Sequence, residues 1–246
     1  MSLPSFDRWF DTCRYLLDVK QGRVALSVPV VDFEGKSIGR LEPLTARHAA
    51  DEETVDRFVR WRNQNLAGYL DQRPVTREST RTWLEDVALS PTRLSFLIYS
   101  GERAVGKCGM LHIRPRDQES DGLMRGERGG GPMLIHFAQV ACLIWSFRVL
   151  KNESVLSKVL STNEPALTSC ERLGYDRKPE RIASVFLKEY PNGRVLEEQG
   201  SEAERVPELA LLYLRLTRDR FLHAITSHAG FRQLDESLCR GTIGTE

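Results

Sequence analysis

The 246-residue chain has almost no net charge: 35 Lys and Arg stand against 34 Asp and Glu, a formal +1. That removes the bulk electrostatic argument for a nucleic-acid partner. Its five cysteines, Cys13, Cys108, Cys142, Cys170 and Cys239, are odd in number and form no CxxC pair. A disulfide framework is therefore not expected, and reduced thiols are. No hydrophobic run is long. The uncharged stretch 129–147 opens with three glycines and Pro132 and contains His136 and Gln139. A bilayer needs roughly twenty apolar residues, so a buried core helix is expected and a membrane partner is not. The opening residues carry Asp7 and Asp11 among their apolar side chains and lack the basic-then-apolar order of a signal peptide. The cytoplasm is the expected address. There is no GK[ST] phosphate loop and no GxGxxG dinucleotide fingerprint. The histidines lack ligand spacing with Cys, Asp or Glu, so no metal is expected.

What remains is the composition of an ordinary globular protein, 41% hydrophobic and 28% charged. Residues 4–19 place Phe6, Trp9, Phe10, Cys13, Leu16 and Leu17 at helical spacing. Residues 23–45 read as two extended segments about a Glu34-Gly35-Lys36 turn. Residues 53–64 return to a 3.6 period, and a further helix starts after Thr76, a good N-cap, and stops at Pro91. Strands follow at 92–100 and 103–113, separated by Gly101-Glu102. Residues 114–120 read as polar loop and 120–127 as a short strand. A long apolar helix spans 132–150, and a strand spans 155–161. A short helix at 163–173 ends at Gly174. A hairpin turns at Pro191-Asn192-Gly193, and the last strand is 209–217. Residues 218–246 show weak periodicity. This order predicts a mixed α/β fold with antiparallel and parallel pairings. The expected divisions are an N-terminal extension (1–36), a main domain (37–217) and a tail (218–246).

The densest chemical signal is the run Arg125-Gly126-Glu127-Arg128-Gly129-Gly130-Gly131-Pro132, between a short strand and the apolar helix. Glycines allow close backbone approach, and successive free N–H groups at a helix start attract anions. A phosphate or pyrophosphate site is the physical expectation, with Arg125 or Arg128 adding charge.

The segment GERGGGPMLIHFAQVACLIWSF, followed by SVLSKVLSTNEPALTSCERLGY, resembles the core of the GCN5-related N-acetyltransferase (GNAT) family. Asn163, Ala166, Glu171, Gly174 and Tyr175 match that family's N-x-x-A-x-x-x-Y-E-x-x-G-F/Y segment. The resemblance implies a central mixed, mostly antiparallel sheet flanked by helices. It also implies acetyl-CoA as cosubstrate, contacted by Leu123, Met124, Arg125, Arg128, Gly129, Gly130, Gly131 and Asn163. Two positions depart from the pattern: Gly126 stands where Gln or Arg is usual, and Cys170 where a Tyr often protonates the leaving thiolate. Cys170 is thus either a proton donor or a small buried apolar residue. Asp121 lies where the family often places its base, and His112 is the alternative. Upstream, Trp61-Arg62-Asn63 resembles members that acetylate nucleotide-linked amino sugars or ribosomal-protein N-termini, which makes this triplet the candidate acceptor-binding element. The expected activity is acetyl transfer to the primary amine of a small polar acceptor, such as a nucleotide-linked amino sugar. The alternatives are a protein N-terminus, or weak CoA binding without turnover. A homodimer is within the expectation.

Overall fold

The computed structural model describes residues 9–202 and 209–239. Helix α1 (Trp9–Lys20) is followed by strands β1 (Val28–Val31) and β2 (Ser37–Pro43) and helices α2 (Ala46–Ala50), α3 (Glu52–Gln64) and α4 (Arg77–Leu89). Next come β3 (Leu94–Ser100), β4 (Arg103–Leu111), β5 (Asp117–Ser120) and β6 (Met124–Arg125). Helix α5 (Leu134–Trp145) continues into a π-turn over Ser146–Leu150 and leads to β7 (Ser154–Leu160) and α6 (Glu164–Arg172). The chain closes with β8 (Arg181–Tyr190), β9 (Gly193–Glu202), β10 (Ala210–Thr217), α7 (Arg218–Ile225) and α8 (Ala229–Cys239).

One sheet runs in the order β1-β2-β3-β4-β5-β7-β10-β8-β9, with β6 paired to β4. Among the described residues its pairs are antiparallel except β5–β7. On one face, α5 packs with Phe96, Ile98, Val105 and Met110 of the sheet and with Phe221 and Phe231 of the last two helices. On the other, Val55, Phe58 and Trp61 of α3 join Leu84 and Val87 of α4 against Leu97 and Met124. These side chains recur at helical spacing, which is why α3 and α4 lie flat on the sheet. Thr76 caps α4 as expected, its side chain accepting from the Ser79 amide at 3.2 Å.

Three local expectations are corrected. Residues 117–120, expected as polar loop, form β5: Gln118 is buried and donates to Ser146 Oγ at 2.6 Å, and pairing on both sides outweighs weak strand propensity. Residues 218–239 form two helices, because Phe221 and Ile225, then Phe231, Leu234 and Leu238, make apolar stripes that enter the main core. Phe10, expected on the buried side of the first helix, is 71% exposed, while Leu16 and Val19 are buried. Phe6 lies outside the described residues.

Buried Lys20 is held by three backbone carbonyls: Val87 at 3.0 Å, Arg93 at 3.1 Å and Ser90. It ties α1 to the end of α4 and supplies donors to carbonyls that the helix end leaves unpaired.

Candidate functional site

Strand β4 carries two short partners in succession. β5 pairs with it at Met110–Ser120 and Leu111–Glu119, and β6 at Gly106–Arg125 and Lys107–Met124. Asp121, Gly122 and Leu123 form the break between them, with Gly122 at φ +35°. On its far side β5 pairs with β7 only as far as Glu119–Leu156. Beyond that pair β6 has no second strand neighbour among the described residues, so the sheet opens between β6 and the later part of β7. A strand edge left open inside a sheet can take up a polar, extended ligand as though it were another strand.

The glycine loop sits at the head of this gap. Gly129, Gly130 and Gly131 have φ of +152°, +65° and +79°, conformations that suit glycine. Arg125 braces the loop from within, donating to the carbonyls of Gly129 (3.3 Å), Gly131 (2.9 Å) and Pro132 (3.4 Å). The Gly126 and Glu127 amides donate to Val105. The amides of Arg128, Gly129, Gly130 and Gly131 have no partner among the described residues. The Arg128 side chain is exposed and has no ion pair there. Of the two arginines weighed in the sequence, Arg128 is therefore the free charge beside unsatisfied amides at the start of α5. That arrangement can hold a phosphate or pyrophosphate.

Across the gap, Asn163 caps α6 by accepting from the Ala166 amide at 3.3 Å, and its Nδ2 faces the 66–68 turn. A Cβ placed on Gly68 would lie 3.7 Å from that nitrogen.

Asp121 is buried. It accepts from Arg93 through both oxygens at 3.0 Å and from Ser95 Oγ at 2.8 Å, with Lys107 Nζ at 3.5 Å. Burial alone would raise its pKa. The charges of Lys107 and Arg93, with the Arg93 and Ser95 hydrogen bonds, outweigh that and hold it at about 2. Burial pulls fully enclosed Lys107 down, against the attraction of Asp121. A carboxylate so occupied is a weak proton acceptor, which counts against Asp121 as the base.

His112 is exposed, with Nδ1 2.9 Å from Glu119 Oε1, and Lys158 Nζ is 2.9 Å from Glu119 Oε2. Glu119 belongs to the last β5–β7 pair and so marks the point where the sheet opens. Burial would raise its pKa, but its bonds to Lys158 and His112 lower it.

Cys170 lies on the buried face of α6 among core residues, and burial pushes its thiol up to about 11, against a weaker opposing contribution from Ser157. It matches the small buried apolar alternative better than the proton donor.

The triplet on α3 divides. Trp61 is fully buried, and a Cβ at Gly126 would overlap its indole. Asn63 bonds the Val75 backbone at 2.8 and 3.1 Å. Both are packing and tethering residues, so neither is free to meet an acceptor. Arg62 remains, stacked on Tyr69, whose hydroxyl lies 3.3 Å from Met124 Sδ at the gap. Sequence reasoning missed Tyr69 and Lys107. Tyr69 follows a turn with no motif of its own, and Lys107 reads as an ordinary exposed strand residue.

No protein-family model matches the chain, and no curated protein matches it in sequence. Solved structures do. An acetyltransferase from Salmonella typhimurium that modifies the N-terminal serine of ribosomal protein L7/L12 covers 78% of this chain and 99% of its own, at TM-score 0.58 and 12% identity. RimL, an L7/L12 α-N-protein acetyltransferase solved with coenzyme A in disulfide linkage to its own cysteine, covers 79% and 99% at TM-score 0.58 and 14% identity. A ribosomal-protein-S5-alanine acetyltransferase from Vibrio fischeri covers 76% and 96% at TM-score 0.55 and 13% identity. The chain has the GNAT fold. At these identities the likeness concerns architecture. No helix of the described residues is long and apolar enough to cross a membrane, and those residues contain no group of three or more metal-ligating side chains.

Proposed function

We propose that this protein transfers an acetyl group from acetyl-CoA to a primary amine. The observation that carries the reading is the parting of the sheet after Glu119–Leu156, directly below a loop of unpartnered amides at the start of α5. Bound acetyl-CoA would supply an activated thioester. The amides of Arg128, Gly129, Gly130 and Gly131, with the Arg128 guanidinium, would hold its pyrophosphate. The open edge at Leu123 and Arg125, whose amides face away from β4, offers backbone donors toward the thioester oxygen. Asn163, which follows β7 on the opposite side of the gap, would offer its Nδ2.

An alkylammonium has a pKa near 10 and must lose a proton to attack. His112 is the base we assign to this step, oriented by Glu119, which like Asp121 is too well paired to take the proton itself. The pair sits at the vertex of the gap, and exposed His112 can pass the proton to bulk water. Asp121 instead anchors Lys107 and Arg93, and Cys170 fills the core. Likeness to the L7/L12 and S5 enzymes supports a protein N-terminus as acceptor. The cation-lined floor at Arg62 and Lys107 favours a small polar amine such as a nucleotide-linked amino sugar.

The test is CoA-thiol release with a panel of primary amines, repeated with Glu119→Gln. We expect activity in the wild type and a loss of about 10²-fold in kcat in the variant, with a changed pH profile and acetyl-CoA affinity within a few-fold. An unchanged profile and rate would remove Glu119 from the mechanism. No release with any amine would leave CoA binding without turnover.

A further inference from the structure

Arg62 leaves α3 toward the gap, where its environment is unusual for a guanidinium. Nη2 donates to the Asp71 carbonyl, and the guanidinium carbon lies 3.6 Å from the centre of the Tyr69 ring. Nη1 is buried and has no hydrogen-bond partner among the described residues. Arginine stays charged in proteins, so a buried donor of this kind is costly unless an acceptor reaches it.

The loop presenting it is pinned on both sides. On one, the Leu196 and Gln72 amides donate to Leu70 and Arg194 at 2.7 and 2.8 Å, joining the loop to the β8–β9 hairpin. On the other, the Tyr69 hydroxyl meets Met124 Sδ and Gly68 approaches Asn163. Arg62 is therefore stacked on a loop that touches both residues flanking the gap. A stacked, fixed guanidinium edge suits the planar oxygens of a carboxylate or phosphate.

The local charge is unbalanced in the same sense. Asp71 pairs with Arg73 at 2.7 Å, and Asp121 is shared by Arg93 and Lys107. With Arg62, four cations face two carboxylates. The ideal Cβ position of Gly122 lies 3.6 Å from Lys107 Nζ and 3.9 Å from Tyr69 Cε1, so Lys107 and the Arg62–Tyr69 stack border the same space.

We propose that the acceptor amine also carries an anionic oxyacid group, a phosphate or a carboxylate, which the Arg62 guanidinium binds beside the β6–β7 gap. This rests on the acetyltransferase reading and narrows its substrate class. The same excess of positive charge disfavours the acceptor's ammonium form and so assists formation of the neutral nucleophile.

Two measurements test it. In the first, inorganic phosphate is titrated calorimetrically into CoA-saturated protein, whose glycine loop is already filled. Binding is expected in the wild type, weakened at least tenfold in Arg62→Gln and partly restored in Arg62→Lys, with CoA affinity unchanged. In the second, thiol release by the wild type compares matched acceptors, O-phosphoethanolamine with ethanolamine and β-alanine with β-alaninamide. The anionic member of at least one pair is expected to have a kcat/KM at least tenfold higher, and which pair shows it distinguishes phosphate from carboxylate. The proposal is overturned by absent phosphate binding, by equal binding in Arg62→Gln, or by preference for neutral amines or an uncharged N-terminal peptide. If Arg62→Gln does not fold, the matched acceptors decide. If CoA itself does not bind, the acetyltransferase reading falls, and phosphate titration of CoA-free wild type against Arg62→Lys still reports on Arg62.

Discussion

Asp121 shows how far an environment can move a residue from the role its position suggests. Its two oxygens accept from Arg93 and Ser95, and Lys107 stands 3.5 Å away. An unfolded aspartate titrates at about 3.9, whereas this one is held at about 2. A carboxyl lowered by folding stabilises fully above its unfolded value and loses that contribution as pH falls from about 4 toward 2. Removing one partner of a buried charged set also strands the others, at a cost of about 3 kcal/mol. Asp121→Asn is therefore expected to lower stability by about that amount in urea unfolding at pH 7, with the gap to wild type narrowing at pH 3. Equal stability at both values would show the network to be energetically idle. The family resemblance made Asp121 a candidate base. What it could not show was Arg93 and Ser95 folding back from another strand to occupy it.

At the scale of elements, the glycine loop and its neighbours were legible because their signals are local. Three glycines before an apolar run, Asn163 as a cap and Gly174 as a stop each report the backbone a few residues away. Gly126 was different. It departs from the family pattern, and the reason lies on α3: the Trp61 indole occupies the space a side chain would need. The same contact explains why Trp61 is not an acceptor ligand. We expect Gly126→Ala to cost about 1–3 kcal/mol through overpacking, read as a lower urea midpoint with an unchanged slope. A variant as stable as wild type would mean that Trp61 and the loop move apart freely. Strand β5 was missed for the converse reason. Its polar residues carry little strand propensity, and its pairing with β4 and β7 depends on partners distant in sequence.

Across the whole molecule, alternating strand and helix signals in the middle of the chain indicated the mixed sheet. The C-terminal helices were obscured because few apolar residues serve them, yet Phe221 and Phe231 enter the main core. The proposed acceptor side draws on the turn after α3, the break before β6 and the β8–β9 hairpin, three segments that no sequence window joins. The glycine loop and the opened sheet together are expected to receive CoA. Calorimetric titration of the intact chain with CoA tests it most directly. One site per chain is expected, in the micromolar-to-millimolar range typical of substrates, weakened about tenfold, or about 1.4 kcal/mol, in Arg128→Gln. A folded wild-type protein that does not bind CoA, or an Arg128→Gln variant that binds it equally well, would contradict it.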